Sequence, residues 1–306
     1  MRVMQAAWLW IPITVSAALA QTMRNAAQRR LVSEVGTLGA TLVRFLYGLP
    51  FALVWLAVAC GFTGAALPAT TAVFVGWVAL GAVSQIVATA FLLRAMAERS
   101  FALGVAYSKT EVLLVAVFGL AFLGDALSVT TTAAVLLGTL GVLLLSPADR
   151  ERPLRAMVVG WSTRPALFGL ASGAAFALAA VAFRGATLQL AASPVLAAAT
   201  TLVLSLALQT AMLGGYLLAR HAAVVRAVLT LWRPSLFAGF MGATASAGWF
   251  TAFALESAAH VRTLGLIELV FSVAVSRRLF RERFSRLESI GMTVLVVGLV
   301  LVTLQR

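Results

Sequence analysis

The chain has 306 residues, 62% of them apolar and 11% charged, where soluble domains average roughly 45–50% and ~25%. So little charge cannot solvate a globule in water, which excludes a soluble enzyme or nucleic-acid binder and calls for a bilayer. The formal net charge of +13, from 23 basic and 10 acidic residues, falls between apolar runs and reads as an orientation signal.

A hydrocarbon core about 30 Å thick takes ~20 apolar residues per helix. The spacing predicts spans at 6–23, 36–59, 72–95, 101–123 and 130–146, then at 166–183, 194–219, 235–256, 261–277 and 288–304. The fold class is therefore an all-α polytopic membrane protein with ten transmembrane helices. Near the start, Arg2, the apolar stretch Trp8 to Leu19 and Ala18-Leu19-Ala20 resemble a secretory signal with a cleavage site. A retained first span is preferred, because the repeat described below needs it. The charged stretch from Pro147 to Arg155 divides the chain into a first five-helix unit (1–147), a linker (148–165) and a second five-helix unit (166–306). Cys60 is the only cysteine, so neither an intramolecular disulfide nor a thiolate cluster can form.

The loops between spans 1–2, 3–4, 5–6, 7–8 and 9–10 carry 17 arginines, Arg24, Arg29 and Arg30 among them. The opposite side carries four: Arg2, Arg184, Arg262 and Arg306. The positive-inside rule puts the arginine-rich side in the cytoplasm and both termini outside.

Thr110-Glu111, Gly124-Asp125, Ser128 and Gly141 match Ile267-Glu268, Arg281-Glu282, Ser285 and Gly298 at a common offset of 157. Looser matches upstream pair Phe183-Arg184 with Met23-Arg24, and Ser246 and Phe253 with Ser84 and Phe91. With five spans per unit, the second copy must be inverted, giving a 5+5 inverted repeat. Arginine is absent around Asp125 and abundant around Glu282, as expected if equivalent loops lie on opposite sides. Inverted repeats recur in secondary carriers, whose solute site lies near the midplane between the copies.

The run Leu42-Val43-Arg44-Phe45-Leu46-Tyr47-Gly48-Leu49-Pro50-Phe51 resembles the Arg-Phe signature of EamA-type proteins in the drug/metabolite transporter superfamily. So do the patterns at 124–146 and 281–304, with Gly-Asp or Arg-Glu, then Leu or Phe, Ser and a glycine-containing last span. The resemblance covers nearly the whole chain and implies a ten-helix carrier of two EamA units. Two departures stand out. Proline is common in such proteins where Glu111 and Glu268 stand, and their termini are usually drawn in the cytoplasm.

Ionisable groups inside spans are costly and tend to be kept for function. Arg44, Lys109, Glu111 and Glu268 are the candidates. Either carboxylate could bind a proton or a cationic solute group. Arg44 could pair with Glu111, as a buried lock or otherwise, or hold a substrate carboxylate through its fork of donors. Lys109, two residues from Glu111, would fall on the opposite helix face and either snorkel to an interface or face the site. Tyr107 lies one turn before Glu111, and Gln85 and Trp249 are polar or amphipathic groups suited to a pocket. Gly81, Ser84, Gly242, Ser246, Gly265, Ser272 and Ser276 read as close-packing positions, with Thr89 beside them in the third span and Phe253 in the eighth-span stripe. Trp8, Trp10, Trp161 and Trp232 fit an aromatic belt. His260 is an interfacial histidine with pH sensing as its alternative, and His221 takes no role.

No phosphate loop, zinc motif or nucleophile elbow occurs in the sequence, so no catalytic residue, metal ligand or cofactor is expected. The expectation is a bacterial inner-membrane exporter of small metabolites, amino-acid-like or cationic, working by alternating access with protons as a candidate coupling ion. Its partners are the solute and the lipid bilayer, with no nucleic acid, as a monomer or homodimer. The alternative is a non-transporting intramembrane scaffold or enzyme. A water-accessible site between the halves favours the carrier, and carboxylates sealed in salt bridges favour the scaffold.

Overall fold

The computed structural model describes residues 8–98, 101–125 and 164–279, with isolated positions from 129 to 137 and from 281 to 297. Apart from those isolated positions, the expected spans at 130–146 and 288–304 lie outside the described residues. Among those described, every element is a helix.

Helix α1 runs Trp10–Leu46 and breaks at Gly36, whose φ of 69° suits glycine. A Cβ there would meet nothing within 4 Å, so the requirement comes from the backbone alone. After Tyr47 and Gly48 the chain continues as α2 (Leu49–Thr63), capped by left-handed Gly64. The whole stretch Trp10–Thr63 has 54 residues. At 1.5 Å per residue that is about 80 Å, too long for one ~30 Å crossing. The first expected span ends at position 23, yet its helix continues to the break at Gly36. Arg24, Arg29 and Arg30 are therefore helical rather than in a loop.

Helix α3 spans Ala72–Glu98. The fourth expected span is interrupted: α4 (Phe101–Ser108) ends at a turn over Lys109 and Thr110, and α5 (Glu111–Phe118) resumes beyond it. A wider π-turn, Gly119–Leu123, then ends at left-handed Gly124. Helices α6 (Arg164–Leu188), α7 (Pro194–Arg220) and the short α8 (Ala222–Thr230) follow. Helix α9 (Trp232–Leu255) precedes the ninth expected span, which is also broken, into α10 (Ala258–Leu264) and α11 (Ile267–Leu279). Among the described residues, seven helical stretches, Trp10–Thr63 among them, are long and apolar enough to cross a membrane.

The polarity is inverted relative to a water-soluble bundle. Val54, Val58, Phe62, Leu80 and Val83 lie exposed on the flanks, while arginines and carboxylates are buried inside. Helix α1 packs along α9, and α3 along α6. Small residues allow the approach: a Cβ on Gly248 would lie 2.7 Å from that of Ala17, and one on Gly81 2.6 Å from the Phe183 ring. The two broken spans meet each other crosswise, α4 against α11 and α5 against α10. Their breaks therefore come together in the interior.

Candidate functional site

A helix break leaves carbonyls unsatisfied at the end of one segment and N–H groups at the start of the next. The first therefore favours a cation and the second an anion. Both broken spans follow this rule. Lys109 directly follows the end of α4, and Glu111 opens α5; Arg262 lies in the last turn of α10, and Glu268 in the first turn of α11.

The charges pair across the two spans. Lys109 Nζ lies 2.5 Å from Glu268 Oε2 and 3.3 Å from Glu111 Oε1. Arg262 Nη1 lies 3.6 Å from Glu111 Oε1, with its guanidinium 4.6 Å over the Trp249 ring. The fit around Trp249 is close, since a Cβ on Gly265 would fall 2.6 Å from that ring. Two expectations about Lys109 are corrected here. It meets Glu111 because the break between them resets the helical phase, and at 3% exposure it does not snorkel to an interface.

Glu268 is fully solvated by protein. Its Oε2 also accepts from Gln21 Nε2 at 2.6 Å, and its Oε1 from Asn25 Nδ2 at 3.0 Å. Trp249 Nε1 donates to Gln21 Oε1 at 2.9 Å, fixing that amide. Glu111 is less well provided for: its Oε2 is buried and has no hydrogen-bond partner among the described residues.

Two further arginines complete the cluster. Arg24 donates through Nε and Nη2 to Asn25 Oδ1, at 3.2 and 2.7 Å. Arg44 donates to the hydroxyls of Thr89 (3.0 Å) and Ser246 (3.3 Å). Gly242 makes room for this pair, since a Cβ there would stand 3.2 Å from Arg44 Cγ and 3.3 Å from Arg24 Cδ. The anticipated Arg44–Glu111 pair is not formed.

Of the residues singled out by sequence, Glu111, Glu268, Lys109, Trp249 and Arg44 come together. Gln85 instead accepts from Gln209 Nε2 of α7 at 2.8 Å, and Tyr107 packs over Gly169 of α6. Gln21, Arg24 and Asn25 are absent from the expected site because Arg24 falls in a predicted loop, although it is wholly buried. Their signal was available: Gln21, Arg24, Asn25 and Gln28 recur at helical spacing, one polar face on an apolar helix. Trp10 was expected in an interfacial belt but is buried, stacked on His260 at 6.4 Å.

At one end of the bundle Arg184 ties three segments together. It grips Asp125 through two 3.1 Å bonds and donates to the carbonyls of Phe253 and Glu256, each at 2.6 Å. Elsewhere an apolar groove of about 680 Å³ opens outward between α1, α2, α7 and α9. Ile13, Phe51, Trp55 and Phe240 line it, and no charged side chain does.

No known protein family matches the chain, and no curated protein resembles it in sequence. Among solved structures, one described only as "Crystal structure of protein" superposes with a TM-score of 0.64 at 17% identity. The match covers 96% of each chain, so the fold as a whole has a precedent.

Proposed function

We propose that the chain is a secondary carrier of small metabolites, amino-acid-like or cationic, that works by alternating access from a bacterial inner membrane. The observation that carries this reading is the meeting of two broken helices whose terminal charges pair crosswise. Discontinuous spans crossing at the midplane are the usual construction of carrier sites, because the helix ends offer charge without side-chain travel. The pairing of α1 with α9 and α3 with α6, the reciprocal contacts of the broken spans and the 157-residue spacing of Glu111 and Glu268 support an inverted 5+5 repeat. The EamA-type resemblance points the same way. Protons are the coupling ion proposed, with Glu111 as their acceptor, since its Oε2 is the carboxylate oxygen left without a donor.

The test is transport by purified protein in liposomes, with solutes chosen by an efflux screen of a deletion strain. Glu111→Gln and Glu268→Gln are expected to abolish movement of the solute while the protein still inserts. Normal transport by Glu111→Gln would remove the coupling role. A tag-accessibility assay on both termini tests the proposed outside location.

A scaffold is the second reading, and one observation favours it: both carboxylates are engaged in ion pairs at 1–2% exposure. Against it stand Arg24 and Arg44, which a purely structural lock would not leave without acidic partners.

A further inference from the structure

Six charged residues are buried among the described positions: Arg24, Arg44, Lys109, Arg262, Glu111 and Glu268. Four are basic and two acidic, so the cluster carries two positive charges in excess. Lys109 and Arg262 are matched to the carboxylates. The excess therefore belongs to Arg24 and Arg44, whose hydrogen-bond partners are a side-chain amide and two hydroxyls. Arginine cannot shed its proton to escape burial. Each also keeps a buried donor without a partner, Nη1 of Arg24 and Nε of Arg44.

The geometry points to an oxyanion subsite formed by Arg24 and Arg44, taking a carboxylate or phosphate group of a small organic acid. This rests on the carrier reading above and deepens it. Guanidinium forks match planar carboxylate and phosphate oxygens, and the two lie close enough to share the Cβ space left open at Gly242. A solute with two negative charges balances the cluster. An amino acid offers its carboxylate here and, in exchange for the coupling proton, its ammonium to Glu111 Oε2, the carboxylate oxygen without a donor. A simple cation adds to the excess and is disfavoured, which narrows the solute classes expected from sequence.

The test is thermal unfolding of the detergent-solubilised chain with succinate, glycerol phosphate, alanine and putrescine as probes. Succinate or glycerol phosphate is expected to raise the melting temperature, and the better of the two identifies carboxylate or phosphate. Arg44→Lys keeps the charge but loses the fork, so about tenfold more ligand should be needed for the same shift. Arg44→Gln removes an uncompensated charge: the ligand-free protein should melt no lower than the parent, while the anion response disappears. Arg30→Gln, at an exposed position, serves as the control for charge alone. If only putrescine stabilises, if no oxyanion does, or if Arg44→Gln responds like the parent, the subsite is wrong. Anion binding without transport in liposomes would overturn the carrier reading and leave the subsite standing; efflux of a cation alone would do the reverse.

Discussion

Lys109 and Glu268 belong to different broken helices, 159 positions apart, yet their charged atoms stand 2.5 Å from one another in the interior. The contact exists because α4 and α10 each stop short, so that a helix end rather than a continuous cylinder faces the centre. A carboxylate in the first turn of α11 and an ammonium just past the end of α4 each gain from the local helix dipole.

Breaking that pair from one side should cost more than removing it altogether. Lys109→Met leaves two buried carboxylates short of a partner and is expected to destabilise by about 3–5 kcal/mol. The double variant Lys109→Met/Glu268→Leu should recover most of the loss. Denaturant unfolding of the four proteins of this cycle, single Glu268→Leu included, measures the coupling. Transport should be absent in all three variants.

Gly242→Ala brings a methyl group within 3.3 Å of both arginine stems. Those stems are flexible, so stability should fall by only about 1 kcal/mol. Transport should fall more steeply, because the two guanidinium groups move from their positions. Parallel melting and liposome-uptake curves separate the two effects.

Arg184→Gln removes the two-pronged grip on Asp125 and the donors to the carbonyls of Phe253 and Glu256. That end of the bundle should then open more often. With Cys60 replaced by serine and Ser257 by cysteine, thiol labelling from the side of Ser257 should rise several-fold in the Arg184→Gln background. Unchanged labelling would mean that Arg184 does not hold this end closed.

Gln85 lies apart from the charge cluster, joined to Gln209. Gln85→Leu should leave transport near the parental rate and cost under about 1 kcal/mol, in line with typical polar contacts between membrane helices. A transport defect comparable to that of Glu268→Gln would bring Gln85 into the site.

Much of the helical content was legible because hydropathy averages over a whole span. Glu111 and Glu268 were legible because a shared offset of 157 in the sequence singled out both. The breaks were not, since neither Lys109-Thr110 nor Gly265-Leu266 contains a proline to mark one. Missing the first break made Lys109 and Glu111 look opposed, as they would be on one continuous helix. Arg24 was misplaced for a related reason. The segment Gln21 to Arg30 is polar enough to imitate a loop, and the partners that keep Gln21, Arg24 and Asn25 within the bundle include Glu268, more than 240 positions away.

The polar face of α1 also bears on how the protein is made. A lone arginine at the centre of a span costs ~2.5–3.5 kcal/mol to insert, and Gln21, Asn25 and Gln28 add to that burden around Arg24. The segment before Gly36 is therefore a poor substrate for stepwise release into lipid when it leaves the ribosome. The glycine break lets it fold back on the stretch that follows, where Gln28 Nε2 donates to the Ala40 carbonyl at 2.6 Å. Glu268 lies more than 240 positions further on, so Gln21 and Asn25 gain their carboxylate partner only once the chain has been made past it.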